Sequence, residues 1–482
     1  MAPCNKMGLS VRKLLKMHHQ PRKVEVTIRS FYIFNTTYGQ KEGQEKEKIL
    51  YYYPKEIDIN AKIRDVGLSQ AFTAFTDSFT EKPGECEVIH TEKTTQLLYQ
   101  PEPNFWLVLV LNVPKEIHSK DGVEYPEYHK YELHDALYRR LLIQSYNRFC
   151  LEDGTFQMIL DQFFDNKETA RDFLTQKLEN FFNKYITSLK LPANDIIEFM
   201  NSLQYLPLDK FLFLRVHNFI DSLKSTFPSI TDAIFLYKEF VVVGGKLNSS
   251  NLFTLYQYIF QSIEITQRDP LSNAPLNSRN IFLKTNGQLV SYKMVLFPST
   301  NALLCLFFKQ TVELTSQLLD ELSYAINSQL YVLARDIEDY LAKQPNTGKT
   351  SATSTMDCTN NAEYMSPKYL FLNDQSLKLS SNLYEDDPQH KTPLPQNVTN
   401  LIADLFNSSD NEVEKPQRDG DKTSYSEIMI KSTDDFWIVK RRFNWRQRFV
   451  VIFSQKATLL DVTKEAERIF EQEIKDGVFA DK

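Results

Sequence analysis

The pattern of apolar and polar positions predicts an α/β chain that opens with a β-hairpin. Residues 24–34 begin with alternating apolar and polar side chains and end in an apolar run, as a strand entering a buried sheet does. Residues 49–53, ILYYY, are the expected partner strand. The stretch 38–48 between them mixes Lys and Glu with Gly and Gln, which is typical of a solvated connection.

An amphipathic helix is predicted over residues 60–79. Leu68, Phe72, Phe75 and Phe79 recur at the spacing of one helical face. This apolar stripe has two interpretations: it packs on the sheet of its own domain, or it partly serves a partner subunit. Periodicity does not separate them, because both interpretations require the same stripe.

The remaining pattern continues this order of elements and then repeats it. A second copy begins near residue 209 and includes a hairpin that turns at Lys238 and Glu239. The repeat lies in the order of the elements and not in the residues themselves. Helices are predicted at 131–149, 168–189, 211–223, 251–260, 312–342, 396–406 and 463–474, and strands at 87–98, 105–113, 280–285, 289–297, 302–308, 369–372, 425–431, 435–441 and 448–454.

The length of 482 residues indicates about three domains. Residues 343–363 are rich in Ser, Thr and Asn and predict a linker, whereas residues 407–424 predict an acidic polar loop. The predicted organisation is three α/β domains of mostly antiparallel strands flanked by helices. Its parts are a basic flexible arm at 1–23, a first domain at 24–192, a second domain at 193–342, the linker at 343–363 and a third domain at 364–482.

Composition narrows the classes of function. The net charge of −6 and the pI near 5.9 argue against a general nucleic-acid-binding protein. Five cysteines without a CxxC pair, and histidines away from metal-ligand spacing, predict reduced thiols in the cytosol or nucleus and no metal site. No apolar run reaches the roughly 18 residues of a membrane span. The sequence also lacks the apolar core of a secretory signal peptide, so we do not predict export. The basic arm stays open between a disordered tail and a mitochondrial-type presequence or membrane contact.

No motif for covalent catalysis or for cofactor binding is present. Gly348-Lys349-Thr350 matches the end of a phosphate-binding loop, but Lys343 stands where that loop needs a glycine, and a helix precedes it instead of a strand. GxSxG, HExxH and dinucleotide fingerprints do not occur in the sequence. We therefore predict neither an enzyme with side-chain chemistry nor a cofactor.

The strongest local cluster of positive charge lies in residues 435–453. Lys440, Arg441 and Arg442 stand near Trp445 between two apolar strands. A basic hairpin tip with an aromatic side chain predicts contact with anionic or phosphoinositide headgroups. The alternative is a solvated turn whose Trp packs beside the sheet.

Six stretches, spread in order from about residue 30 to residue 462, resemble one family. They are SFYIFNTTYGQKEGQEKEKILYYYP, KIRDVGLSQAFTAFTDSF, PEPNFWLVLVLNVP, FFNKYITSL, PLDKF and DFWIVKRRFNWRQRFVVIFSQKATLLDV. Their combination and spacing resemble the Ccz family of vacuolar fusion proteins, named for sensitivity to calcium, caffeine and zinc. Members of this family pair with a Mon-family subunit, named for monensin sensitivity.

The resemblance implies three longin-like domains and a function without covalent chemistry. It implies a heterodimer with the Mon-family subunit that acts as a guanine-nucleotide exchange factor for a late-endosomal Rab GTPase of the Rab seven type. A third regulatory subunit is expected in animals. The implied processes are endosome maturation, fusion with lysosomes or vacuoles and autophagosome clearance, with peripheral recruitment from the cytoplasm to those membranes. Exchange needs no acid–base pair, because the factor binds the nucleotide-free GTPase best and thereby lowers its affinity for nucleotide.

On this resemblance, the first domain is expected to carry both protein contacts. The candidates are Leu68, Phe72 and Phe75 for pairing with the partner subunit, and Tyr38, Lys46 and Lys48 for the surface next to the GTPase. Two other classes stay open. One is a trafficking adaptor that docks on anionic lipid through residues 440–448, and the other is a mitochondrial or metabolic enzyme.

Overall fold

The structure, a computed structural model, divides into two compact units. The first comprises residues 1–146 and 156–193, and the second comprises residues 147–155 and 194–482. The predicted end of the first domain at residue 192 lies one residue from this division. The structure describes residues 22–78, 86–120, 123–130, 133–163, 166–189, 191, 202–206, 208–266, 276–285, 287–343, 367–373, 377–383, 394–411, 425–443, 447–453 and 458–471.

A five-stranded antiparallel sheet forms the centre of the first unit. In chain order the elements of this unit are β1 (Arg22–Val24), β2 (Thr27–Asn35), β3 (Ile49–Tyr53), α1 (Ile59–Asp77), β4 (Val88–His90), β5 (Thr94–Glu102), β6 (Phe105–Asn112), β7 (Lys115–Lys120), β8 (Val123–Tyr128), α2 (Asp135–Asp153), α3 (Phe156–Leu160) and α4 (Lys167–Ser188). The sheet runs in the order β3-β2-β6-β5-β4, and β1, β7 and β8 form a separate small sheet. The last turns of α2 belong to the second unit.

Strand β6 lies at the centre of this sheet, and both of its faces are covered. Its sequence FWLVLVLN does not alternate, because neither face meets water. Trp106 and Val108 pack with Val66 of α1 on one face. On the other face, the ring centroids of Phe182 on α4 and Phe31 on β2 lie 5.0 Å apart. Helices therefore cover the sheet from both sides.

Two short strands replace the single strand predicted from residue 24. β1 pairs with β7, with Arg22 opposite Ile117, so the end of the predicted basic arm lies in a strand. The sequence does not predict the β7–β8 hairpin, because charged and polar side chains dominate KEIHSK and VEYPEY. Residues 1–21 of the predicted arm lie outside the described residues, as does Phe79 of the predicted helical stripe.

Two further sheets form the second unit. In chain order its elements are β9 (Leu203–Gln204), α5 (Lys210–Thr226), β10 (Ile230–Tyr237), β11 (Phe240–Val243), α6 (Ser249–Thr266), β12 (Leu276–Thr285), β13 (Gln288–Ser299), β14 (Ala302–Lys309), α7 (Ser316–Lys343), β15 (Lys368–Asn373), β16 (Lys378–Ser381), α8 (Gln396–Asn411), β17 (Tyr425–Lys431), β18 (Trp437–Phe443), β19 (Gln447–Phe453) and α9 (Leu459–Ile469). The sheets run in the orders β11-β10-β14-β13-β12 and β17-β18-β19-β15-β16-β9. Helices α5 and α7 pack on one face of the first of these sheets, and α6 packs on the other.

All three large sheets share one strand order. Counted along each domain, the strands lie in the order second, first, fifth, fourth and third. A helix connects the second strand to the third in every case, and these helices are α1, α6 and α8. In the third sheet, β9 adds to the edge in parallel with β16. This topology confirms the predicted fold class, in which antiparallel sheets are flanked by helices.

Element boundaries in the third domain differ from the prediction by a few residues. Helix α8 continues to Asn411, so the predicted acidic loop starts later. Helix α9 begins at Leu459, four residues before its predicted start, because Thr458 and Asp461 form a capping box. Most of the predicted linker, and residues 412–424 of the predicted loop, lie outside the described residues.

Metal-binding and membrane-spanning features are both missing from the described residues. These residues contain no group of three or more His, Cys, Asp or Glu side chains placed to hold a metal ion. In the same part of the chain, no helix combines the length and the apolar character that a bilayer span requires.

Candidate interaction surface

Helix α1 turns a polar side toward its own sheet. The Asp58 side chain caps the helix by accepting a hydrogen bond from the backbone N–H of Asn60 at 3.0 Å. One turn further on, the sheet-facing positions are Val66, Ser69 and Thr73, all of which are buried. Two of these three side chains carry hydroxyl groups, so the helix does not rest on a purely apolar contact.

A hydrogen-bonded network satisfies this polar side. The hydroxyl groups of Tyr32 and Ser69 lie 2.7 Å apart, and the Gln96 amide donates to both of them. Ser69 in turn donates to the backbone oxygen of Asp65 at 3.0 Å. Tyr52 donates its hydroxyl hydrogen to the Asp65 carboxylate at 2.7 Å. Buried polar groups cost free energy unless they are paired, and here each hydroxyl has a partner.

Burial raises the pKa of three tyrosines in this domain. Loss of water contact raises the pKa of Tyr32, Tyr51 and Tyr52 well above the usual tyrosine range. The hydrogen bond to the Asp65 carboxylate raises the pKa of Tyr52 further. Tyr32 and Tyr52 therefore retain the hydroxyl hydrogens that the network requires to a higher pH than an exposed tyrosine does.

The opposite side of α1 exposes apolar side chains to solvent. Leu68 is 51% exposed and Phe75 is 61% exposed, and the exposed residues Gly67 and Ala71 lie on the same side. We call these four residues the outer face of α1. A Cβ added at Gly67 would meet no atom within 4 Å, so an approaching surface could contact the helix backbone there. Large exposed apolar side chains that adjoin one another are typical of protein interaction sites.

The exposure of the outer face bears on the two interpretations of the apolar stripe, packing on its own sheet or serving a partner subunit. Leu68 and Phe75 do not pack on the sheet of their own domain, so the own-sheet interpretation is wrong for both residues. Phe72 is half-buried at the edge of the helix. In the second domain, the equivalent helix α6 has no exposed residue from 251 to 260. Over this described part of the helix, α6 therefore lacks the exposed apolar face that α1 has.

The Tyr38–Lys48 turn lies beside α1. It passes through Gly39 at φ +54° and ends in a short 3-10 helix over Glu45–Lys48. Lys46 is exposed, whereas Lys48 is half-buried and donates from Nζ to Oε1 of Gln70 on α1 at 2.9 Å. Of the two predicted lysines, Lys46 therefore faces solvent and Lys48 is tied to the helix.

Helix α4 contacts the same turn from the other direction. The Arg171 guanidinium lies 3.8 Å from the Glu47 carboxylate. Tyr38 is half-buried, and this burial raises the pKa of its hydroxyl while the nearby Arg171 charge opposes the rise. The three residues predicted to lie near the GTPase thus share one turn, but only Lys46 among them is exposed.

Two cations of the predicted lipid-binding cluster are buried. Lys440 and Arg441 lie within strand β18 and are only 4% and 5% exposed. The Lys440 ammonium donates to the backbone oxygen of Leu405 on α8, and Arg441 pairs with Glu427 at 3.4 Å. The expectation that these two cations face headgroups is wrong, because helix and strand neighbours enclose them. Trp445 lies outside the described residues, and Arg442 is half-buried.

The polar side of α1 is not among the features predicted from the sequence. Its signal is present, because Asp65, Ser69 and Thr73 recur every four residues with Val66 beside them. The apolar stripe suggests instead that Leu68 and Phe75 face the sheet, since apolar side chains at helical spacing usually face a core. No local signal marks Gln96, which joins the network from β5.

Comparison with known proteins places this fold. The model of the first longin domain of INTU, CCZ1 and HPS4 matches residues 28–154, and the model of the INTU longin-like domain 3 matches residues 363–469. A vacuolar fusion protein CCZ1 homolog of Nematostella vectensis is 28% identical over 475 residues, which cover 91% of this chain and 95% of that protein. Homologs from Xenopus laevis and Dictyostelium discoideum are 26% and 25% identical, over 93% and 92% of this chain and 96% of each relative.

Three sheets of one topology, two of them within matched regions, define a protein built from longin domains. The matches run through nearly the whole length of both this chain and its relatives. Over nearly its whole length the chain is similar to vacuolar fusion proteins named CCZ1 homologs, and its first domain matches the longin domain of INTU, CCZ1 and HPS4.

Proposed function

We propose that this chain is one subunit of a heteromeric guanine-nucleotide exchange factor. Its partner subunit is of the Mon family, and its target is a late-endosomal Rab GTPase of the Rab seven type. The complex acts on late-endosomal, lysosomal or vacuolar membranes, to which it is recruited peripherally. Its activity promotes endosome maturation, fusion with lysosomes or vacuoles and autophagosome clearance. The similarity to CCZ1 homologs over nearly the whole chain supports this proposal.

The outer face of α1 is the observation that carries the proposal. Burying Leu68 and Phe75 in an interface removes two large apolar side chains from water, each worth about 1.5–3 kcal/mol when fully buried. Side chains of this size at the centre of a contact typically dominate binding energy. We assign the outer face to the Mon-family subunit, with Phe72 at its edge.

Nucleotide release requires no general acid or base. A surface that binds the GTPase more tightly without nucleotide than with it lowers nucleotide affinity by the same factor, because the two binding equilibria are linked. We place the GTPase beside the Tyr38–Lys48 turn, where the exposed ammonium of Lys46 is available for a direct contact. A third regulatory subunit and an anionic membrane surface remain predictions, and no nucleic-acid partner is proposed.

Paired substitution of the outer face tests the subunit contact. We expect Leu68→Asp with Phe75→Asp to abolish co-purification with the Mon-family subunit, because two carboxylates would be buried in an apolar contact. Both positions are exposed, so the chain itself should fold with an unchanged circular dichroism spectrum. The matched control is Leu214→Asp with Phe211→Asp on α5, where the exposed fractions are 56% and 73%. An intact complex with the α1 double variant would overturn the assignment.

Nucleotide release tests the function itself. The full chain is mixed with a candidate Rab GTPase loaded with fluorescent GDP, alone and together with the Mon-family subunit. We expect release only in the paired sample, because the binding surface is composite. If GDP leaves the Rab GTPase at the same rate with both subunits present as with neither, the proposed function is contradicted.

A further inference from the structure

The Tyr38–Lys48 turn is held at two points that lie on different helices. The Lys48 ammonium bonds Gln70 on α1 at 2.9 Å, and the Glu47 carboxylate lies 3.8 Å from Arg171 on α4. Glu47 and Lys48 are consecutive residues, so both helices contact the same end of the turn. All four of these residues lie within the first unit.

The backbone of the turn is shaped for the lysine contact. Gly39 adopts φ +54°, a conformation that favours glycine. A Cβ at this position would lie 2.3 Å from the Gln44 backbone oxygen and 3.3 Å from Cγ of Lys48. The missing side chain therefore leaves room for the Lys48 stem to pass over the turn toward α1.

Gln70 lies on the flank of α1, between the two sides already described. Its neighbour Ser69 belongs to the buried network, and its other neighbour Ala71 belongs to the outer face. The helix that offers its outer face to the partner subunit is thus the same helix that fixes the turn. A lysine side chain loses considerable rotamer freedom when held, so it stays ordered only while its acceptor is in place.

We infer that Gln70 and Arg171 are positioning residues for the GTPase: they hold the Tyr38–Lys48 turn on α1 and α4 so that Lys46 meets the GTPase in one geometry. This inference rests on the proposed function. Lys48, which the sequence suggests as a contact residue, then acts through Gln70 instead of touching the GTPase. The apparent dissociation constant for the GTPase equals the intrinsic constant divided by the fraction of molecules whose turn is in the binding-competent conformation. A turn held in that conformation therefore binds more tightly than one that samples many conformations.

The test uses the full chain in complex with the Mon-family subunit and measures GDP release from the Rab GTPase at increasing GTPase concentrations. We expect Gln70→Ala to raise KM about three- to tenfold and to leave the maximal rate unchanged, because binding the GTPase still selects the competent turn. Gln70→Glu retains an acceptor for Lys48 and should keep KM within about twofold of wild type. A merely structural defect would lower the active fraction, and hence the maximal rate, without moving KM.

A matched control and a double-mutant cycle complete the test. Gln157→Ala removes an amide contact of similar length, 2.7 Å to Asp161, that does not involve the turn residues, and should leave KM unchanged. The effects of Lys48→Ala and Gln70→Ala should not add, because both break one bond. A Gln70→Ala variant with the KM of Gln157→Ala, or fully additive effects, would overturn the inference. If the wild-type complex itself releases no GDP, the proposed function fails, which distinguishes the two results.

Discussion

At Lys440 a positive charge lies inside the third domain. Its ammonium group donates to the Leu405 backbone oxygen of α8 and is enclosed by strand and helix neighbours. The adjacent Arg441 points to the opposite face of the sheet and pairs with Glu427. Two cations that are neighbours in sequence are therefore satisfied by partners on different elements. Their side chains stabilise the fold and do not present charge to a membrane.

Reversing the charge at Lys440 tests this assignment. We expect Lys440→Glu to lower the free energy of unfolding of the third domain by about 3 kcal/mol or more, because a carboxylate would be buried against a carbonyl oxygen without a donor. Urea unfolding of the full chain, followed by tryptophan fluorescence, measures the change. Lys464→Glu on the exposed side of α9 is the control and should change stability by less than about 0.5 kcal/mol. Equal midpoints for the two variants would show that Lys440 is solvated.

At the scale of elements, α1 reverses the usual arrangement of an amphipathic helix, because its polar side faces the sheet and its apolar side faces solvent. Its sheet-facing side is held by the hydroxyl–amide network, and its outer face carries Leu68 and Phe75. This hydrogen-bonded network fixes the orientation of the helix on the sheet. If α1 rotated about its axis, Ser69 and Gln96 would lose their hydrogen-bond partners. The network therefore keeps the apolar residues directed at solvent, where a partner subunit can reach them.

Removing the Gln96 amide tests the contribution of the network to stability. We expect Gln96→Met to lower the free energy of unfolding of the first unit by about 1–3 kcal/mol, because two buried hydrogen bonds are lost at similar side-chain volume. The midpoint of urea unfolding reports the change. Gln157→Met at an exposed position of α3 serves as control and should leave the midpoint unchanged. A Gln96→Met protein as stable as this control would contradict a structural role for the network.

At the scale of the whole molecule, both compact units contain tyrosines whose pKa values are raised by burial. The first unit contains Tyr32, Tyr51 and Tyr52, whose pKa values are all raised, mainly by burial. Above a pH of about 10 the unfolded chain loses phenolic protons that the folded chain retains. Protons are then bound more by the folded state, so the free energy of unfolding falls as pH rises through that region.

We therefore expect the urea midpoint of the first unit to fall between a pH of about 8 and a pH of about 11. Tyr32→Phe should be less stable at the lower pH, because a hydrogen bond is lost, but its midpoint should fall less steeply with pH. Tyr125→Phe at an exposed position provides the control, with the slope of the wild type. A wild-type midpoint that is constant across this range would show that these tyrosines titrate freely in the folded protein.

The local pattern of the sequence is sufficient for most of the fold. The Lys238-Glu239 turn, the apolar strand β6 and the helix α1 are all predicted and all present. These features depend on residues a few positions apart, where helix periodicity, turn geometry and capping act. The β7–β8 hairpin escapes prediction, because its charged strands carry no such periodicity.

Sequence alone thus determined the elements, their order and the resemblance to a longin family of vacuolar fusion proteins. Tertiary structure decided which side of α1 faces the sheet and whether Lys440 meets water. Tyr32 and Gln96, 64 residues apart, meet at Ser69 only when the sheet has formed, and Lys440 finds its acceptor 35 residues away on α8. Burial is set by such distant contacts, because a side chain is enclosed by whatever packs on it and not by its neighbours in the chain.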